Sequence, residues 1–435
     1  MITALAPVAA LLCSVALLLM GNGLQGTLLP VRANIESFDS TQIGLIGTAY
    51  FIGFGLGCYF GARLVQRAGH IRTFAAMAAI ASTTALLHVL FLSPLFWSAA
   101  RCLTGFCFAV LYVVIESWLN ERSTNETRGT VLSAYNIINL AMITVGQLMM
   151  TLYDPAGFPL FILASVLVSI AAVPLALTTS VAPGPVQIVR LRMLYLYRTS
   201  PLGCVGALAV GAANGSFWTL GPVFALDSGM DVTGVALFMS AAVLAGAAGQ
   251  WPLGRMSDRT DRRKIILLAC LLAFAAGLGN ILFSDLTTWS LLATVVLYGA
   301  FAFPLYAIAV AHLNDFIPPD EFVEASSGTL LLYAIGAAIG PLPASMAMSA
   351  MGPSGLFAFT ATVHGLTAAF AVLRMTARHK PPKYKEEFVD VPRTSPSLYA
   401  LDPRSGDEPE EEVDAEATPE QSATENATEP PPARG

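Results

Sequence analysis

Asn22-Gly23-Leu24-Gln25-Gly26-Thr27-Leu28-Leu29-Pro30-Val31 returns 192 residues later as Asn214-Gly215-Ser216-Phe217-Trp218-Thr219-Leu220-Gly221-Pro222-Val223. The register holds without a gap over 21–67: Asp39 and Thr41 meet Asp231 and Thr233, Gly57 meets Gly249, and Arg67 meets Arg259. At an offset of 194, Gly105, Leu111-Tyr112 and Leu119-Asn120-Glu121 meet Gly299, Leu305-Tyr306 and Leu313-Asn314-Asp315. Apolar bias aligns leucines, but it does not align Asn-Gly, Pro and Asp-x-Thr in register. The chain is an internal duplication.

Composition says where the duplicated unit lives. Of 435 residues, 55% are apolar and 12% charged, against about 25% charged for an average soluble domain. Apolar stretches of about 20 residues, each enough to cross a bilayer as a helix, recur near 4–30, 41–62, 71–93, 95–119, 129–152, 157–181, 201–226, 233–254, 264–284, 287–313, 323–350 and 352–375. The breaks carry turn chemistry, as at Ser93-Pro94, Asp154-Pro155-Ala156-Gly157 and Gly352-Pro353. The first stretch lacks the cationic start of a signal peptide and its apolar core is too long for one. These features predict an all-α membrane protein of twelve transmembrane helices in two pseudo-symmetric six-helix bundles, 1–182 and 201–378. A cytoplasmic linker, 183–200, joins them. Parallel repeats of this kind place a solute site near the midplane between the halves.

The formal charge of −6 conceals an asymmetry. Residues 380–435 hold 14 acids and 6 bases, and the rest of the chain holds 17 bases and 15 acids. With the N-terminus in the cytoplasm, 15 of those 17 bases fall on the cytoplasmic side, while Arg32 lies outside and Arg101 within a span. The sequence therefore predicts a multi-pass protein of the inner (plasma) membrane with both termini cytoplasmic. The 379–435 tail, rich in Pro, Glu, Ser and Thr, is expected to be disordered and unable to pack into the bundle. No basic patch supports nucleic-acid binding. The six cysteines lie inside apolar runs, without CxxC pairs or metal-ligand spacing, so no metal or cofactor is expected. A monomer in the lipid bilayer is expected, with a small-molecule solute and protons as its partners.

Enzyme chemistry finds no residues. Gly21-x-Gly23-x-x-Gly26 matches a dinucleotide fingerprint but lies inside one span, where helix packing explains it better. No nucleophile elbow, His-Glu-x-x-His or phosphate loop is present, and the five histidines are scattered.

Residues 254–263, Gly-Arg-Met-Ser-Asp-Arg-Thr-Asp-Arg-Arg, resemble the G-x-x-x-D-R-x-G-R-R loop of the major facilitator superfamily, with Asp261 where that family usually has Gly. The loop lies in the expected place, between the eighth and ninth spans, and a degraded copy runs from Ala62 to Arg72. Arg101-x-x-x-Gly105 resembles the family's second motif, which in many proton-coupled exporters bears on proton transfer. Gly336-x-x-x-Gly340-Pro341 is similar to the exporters' glycine-proline helix motif, although the fifth span, its usual place, has only Gly146-Gln147. Val114-x-Glu116-Ser117, Arg128-Gly129, Ala134-Tyr135 and Gly249-Gln250-Trp251-Pro252-x-Gly254-Arg255 are similar to the YcaD-type bacterial subfamily.

The resemblance implies a secondary transporter of a small organic solute working by alternating access, proton-coupled, with export by antiport favoured over uptake. An anion:proton symporter and a non-transporting receptor or scaffold are the alternatives. It also implies a conformational latch. In this loop, which opens at Gly254, Asp258 would face the start of the fifth span near Arg128-Gly129, and Arg259, Arg262 and Arg263 would pair with Asp315, with Arg67 as the repeat's counterpart. A solvated basic loop that merely sets topology is the plainer alternative.

Charges within spans are expensive unless paired or hydrated, which makes Arg101 and Glu116 the candidates for proton coupling. They lie 15 residues apart on one helix, about 22 Å along the axis and about 60° around it. They can face one cavity and cannot touch. The repeat opposes Arg101 with Val295 and Glu116 with Val310, so neither serves a role common to both halves. The structural alternatives are a rim ion pair of Glu116 with Arg67 or Arg128, and Arg101 bracing a neighbour's carbonyls. Further cavity candidates are Asn22, Gln25, Tyr112, Asn214, Trp218, Tyr306 and His312. Gln147, Gln250 and Trp251 divide evenly between lining and packing.

Overall fold

The computed structural model describes residues 8–124, 126–177, 184, 192–282, 287–318, 321–377, 385, 388–390 and 392–402. The start of the first span, residues 183 and 185–191 of the 183–200 connection and the tail beyond Asp402 lie outside these residues. Twelve helices build the first half, α1 Ala9–Ile35, α2 Ser40–Ala68, α3 His70–Leu90, α4 Pro94–Arg122, α5 Arg128–Leu152 and α6 Pro159–Ala176, and the second, α7 Pro201–Asp227, α8 Val232–Arg259, α9 Arg262–Leu282, α10 Thr288–Asn314, α11 Phe322–Met351 and α12 Gly355–Ala377. Eleven are long and apolar enough to cross a membrane. The other, α7, has 27 residues and is diluted by Asn214, Ser216, Thr219 and glycines, and most of it is covered by neighbouring helices. Large apolar side chains such as Leu56, Ile162, Leu244 and Leu366 stand on the outer faces, where lipid replaces water as the solvent.

The repeated residues have local structural reasons. Asp39 Oδ1 accepts from the Gln42 amide at 2.8 Å and Asp231 Oδ1 from the Gly234 amide at 2.8 Å, so the duplicated aspartate caps α2 and its counterpart α8. Gly69 and Gly352, at φ +82° and +74°, make the sharp reversals after α2 and α11 that a side chain would strain. Gly105 faces the Tyr50 carbonyl where α4 crosses α2, and Gly299 faces the Ala242 carbonyl where α10 crosses α8; a Cβ would sit 2.0 Å and 2.3 Å from those oxygens. Gly23 against Ile143 and Gly215 against Ala337 repeat the device at α1–α5 and α7–α11. Small residues let these backbones approach closely, and each pair in one half has its equivalent in the other. The Gly21-x-Gly23-x-x-Gly26 run is thus packed at Gly21 and Gly23, while Gly26 meets nothing within 4 Å and lines the central cavity.

The halves touch directly at the end opposite the 254–263 loop. Thr48 Oγ1 donates to the Ala338 carbonyl at 2.9 Å, Asn34 Nδ2 to Asp227 Oδ1 at 2.9 Å, and Gln147 Oε1 accepts from Ser240 at 3.4 Å. Gly44 packs on Ser345 and Gly47 on Thr219. At the basic end, which carries Arg67, Arg128 and the 254–263 loop, residues of the tail lie between the halves. Here the expectation of a tail disordered throughout fails. Residues 388–390 and 392–402 run into the bundle and finish in a short turn, Pro396–Leu401, with Leu398, Tyr399 and Leu401 buried. The physical reason is local composition: these apolar side chains, with Phe388 and Val389, precede the acidic run that dominates the tail's average.

Candidate functional site

Between the halves lies a cavity of about 230 Å³ lined by α1, α2, α4, α5, α7, α8, α10, α11 and the docked tail segment. Of the residues expected there, Asn22, Arg101, Tyr112, Trp218 and Tyr306 line it, as do Gln147 and Gln250. Gln25 and Asn214 are buried within the packing instead. His312 is buried at the basic end, edge-on to Phe316 at 5.3 Å. Trp251 is exposed, with Arg255 stacked 4.2 Å over its ring, and lines a separate recess beside Phe388 and Asp390 of the tail.

Arg101 is nearly buried, and its guanidinium lies 4.2 Å over the ring of Tyr50, a cation–π arrangement. Among the described residues its Nη1 has no hydrogen-bond partner. Asn22 is within hydrogen-bonding reach of Tyr50 and Tyr112, so a polar cluster from α1, α2 and α4 surrounds the arginine. Tyr50 was legible by the test that picked out Arg101, because the repeat opposes it with Ala242.

Glu116 is completely buried and lies beneath the tail segment rather than on the cavity surface. Tyr135 of α5 donates its hydroxyl to Oε1 at 2.6 Å, and Ser395 donates to Oε2. Among the described residues no cation stands within ion-pair distance of it; the ion pairs of the chain lie elsewhere. Two hydroxyl donors therefore hold this carboxyl where the sequence offers Arg67 or Arg128. Arg67 is exposed.

The loop residues form one cluster within the second half. Arg262 Nε meets Asp315 at 3.0 Å, and its Nη1 donates to Asp258 at 3.1 Å and to Ser257 at 2.6 Å. Arg263 pairs with Asp261 at 2.7 Å. Burial pushes the Asp261 carboxyl up, and the Arg263 hydrogen bonds outweigh it and leave the group below its usual range. Arg259 is exposed, and Gly254 receives the ring of Phe388 from the tail. Of the anticipated arginine partners of Asp315, Arg262 is in place. Asp258 faces Arg262 rather than the start of α5, because the tail segment stands between the two halves here.

The segment itself supplies residues that no motif indicated. Asn136 of α5 donates to the Asp390 backbone carbonyl at 2.7 Å, Cys58 Sγ of α2 lies 4.0 Å from the Thr394 carbonyl, and Tyr399 shares a 2.6 Å hydrogen bond with Tyr306. Arg393 lies 5.4 Å from the Tyr333 ring centroid and 5.9 Å from that of Tyr306. Among the described residues no group of three or more His, Cys, Asp or Glu comes together as a metal site requires.

Comparison with known proteins agrees with this architecture. The family model described as Major Facilitator Superfamily matches residues 11–192 and 203–403. An uncharacterized MFS-type transporter of Yersinia enterocolitica, YE1530, is 28% identical over 390 residues, covering 88% of this chain and 98% of its own. An uncharacterized MFS-type transporter of Escherichia fergusonii, YcaD, is 27% identical over 375 residues, covering 86% and 96%. Among solved structures, a single-site variant of the nucleoside transporter NupG superposes with a TM-score of 0.74 at 13% identity, over 84% of this chain and 98% of its own. The duplicated halves, the loop cluster between the eighth and ninth helices and the match along both halves lead to one conclusion: the chain belongs to the major facilitator superfamily of membrane transporters.

Proposed function

We propose that this chain is a proton-coupled transporter that moves a small organic solute by rocking its two halves about the central cavity. The buried carboxyl of Glu116 carries this reading: it is the acid buried within α4, whose other acid, Glu121, is exposed at the helix end, it has no cationic partner among the described residues, and hydroxyl groups alone hold it. A carboxyl without a counter-ion crosses between the two arrangements cheaply when neutral and expensively when ionised, so taking up and releasing one proton per cycle links a proton gradient to movement. The basic end faces the cytoplasm by the distribution of Arg and Lys, and the arrangement described is then inward-facing. Export by antiport is favoured by the Gly336-x-x-x-Gly340-Pro341 motif, which breaks α11 between Ile339 and Pro341.

A second reading, symport of an organic anion with protons, rests on the unpartnered Nη1 of Arg101 beside the cavity. Thermal-shift screening of the purified protein against a metabolite and drug library at pH 5.5 and 7.5, repeated on Glu116→Gln, tests the proposal. A solute that stabilises the unchanged chain pH-dependently should stabilise Glu116→Gln equally at both pH values. The same pH dependence in the variant would place the proton site elsewhere.

A further inference from the structure

Residues 388–390 and 392–402 fill the basic end of the gap between the halves, and the head of Arg393 marks what that place accepts. Its guanidinium faces the rings of Tyr306 and Tyr333, which meet edge to face at 5.0 Å, and Nη1 donates to the Phe303 carbonyl at 3.3 Å. Phe303 is held by Trp218, stacked on its ring at 5.7 Å. Tyr306, Tyr333, Phe303 and Trp218 all line the central cavity, and so does Arg393 itself. Two aromatic faces and an outward carbonyl make a surface for a cation.

We propose that Tyr306, Tyr333 and the Phe303 carbonyl form a cation subsite for a guanidinium or ammonium group of the solute, which residues 388–402 occupy in its place, so that solute and segment exclude each other. The proposal rests on the cavity being the solute site and adds its ligand chemistry and its competitor. The docked segment also holds the halves apart. It reaches α8 through Phe388 on Gly254, α5 through Asp390 on Asn136, and α4 through Ser395 on Glu116. Bringing the basic ends of α5 and α8 together requires it to leave. Because the segment is tethered, its effective concentration is in the millimolar range and a free cation must outcompete it.

Two full-length variants separate the parts. Ser395→Glu sets a second carboxylate against buried Glu116 and should release the segment; Arg393→Gln leaves the segment and removes its cation. Release is read by alkylation of Cys58, which the Thr394 carbonyl covers. Subsite occupancy is read by binding of n-butylguanidinium, with n-butylurea as the uncharged isostere, to detergent-purified protein without any gradient. Cys58 should be alkylated at least tenfold faster in Ser395→Glu. Both variants should bind n-butylguanidinium at least tenfold more tightly than the unchanged chain, with no gain for n-butylurea, and adding Tyr333→Leu to Arg393→Gln should abolish the gain. Equal n-butylguanidinium affinity in the unchanged chain and Arg393→Gln, or an equal gain for n-butylurea, overturns the proposal, as does unchanged Cys58 alkylation in a folded Ser395→Glu. Because no gradient enters these measurements, their failure leaves proton coupling standing, and loss of proton coupling leaves them standing.

Discussion

Glu116 and Arg101 share a helix and differ in what holds them. Glu116 is held by the hydroxyls of Tyr135 and Ser395, and Arg101 by the face of Tyr50. Lysine at position 101 keeps the charge and loses both the planar stacking surface and the fork of donors. Arg101→Lys should therefore weaken solute binding by roughly tenfold while leaving the fold intact, as titration of the stabilising solute would measure; unchanged affinity would assign Arg101 a bracing role. The two residues were legible because the duplication leaves valines opposite them. Of their partners, Tyr50 shares that signal, being opposed by Ala242 in the repeat, whereas Tyr135 and the tail's Ser395 are placed beside Glu116 only by the packing of the helices and the segment.

Asp390 gives the docked segment a pH dependence. Partial burial pushes its carboxyl up to about 6, with Arg393 opposing the rise. Asn136 faces it from α5, and Arg255, Asp258 and Arg259 of α8 share its recess. A carboxyl that binds protons more tightly when docked than when free makes docking stronger as pH falls through 6 and weaker as pH rises through it. The docking equilibrium should change by about tenfold between pH 5 and pH 7. Cys58 alkylation, compared at each pH with Asp390→Asn, checks this: the variant should lack the change.

At the scale of helices, the account rests on glycine-floored crossings and on the loop cluster. Gly105 and Gly299 occupy equivalent crossings, and a Cβ at either meets a carbonyl oxygen. Gly105→Ala and Gly299→Ala should each destabilise the protein by about 1–3 kcal/mol, measurable as a lower unfolding temperature in detergent. A variant as stable as the unchanged chain would mean that the helices separate freely there. Asp258→Asn should impair turnover with solute binding largely intact, because in this arrangement Asp258 is tied to Arg262 within its own half and its cross-half role belongs to the other one. Wild-type turnover in Asp258→Asn would remove the latch. The caps, the breaks and these crossings could be read from the repeat, since Asp39/Asp231, Gly23/Gly215 and Gly105/Gly299 do local work that both halves need.

At the scale of the molecule, two similar halves are closed on each other at one end and kept apart at the other by residues 388–390 and 392–402 of their own chain. Average composition hid that segment, for a run of apolar side chains from Phe388 to Leu401 vanishes in a tail dominated by acids and prolines. The cavity sits between the closed end and the segment, with Glu116 beneath the segment, and on the proposed reading opening and closing trade the solute, the proton and the segment against one another. The most direct test of this account is accumulation of a stabilising solute in proteoliposomes under an imposed pH gradient, with the unchanged chain and Glu116→Gln side by side. The account predicts that the unchanged chain accumulates solute, whereas Glu116→Gln exchanges it across the membrane without accumulating it. Accumulation by Glu116→Gln at the level of the unchanged chain would contradict it.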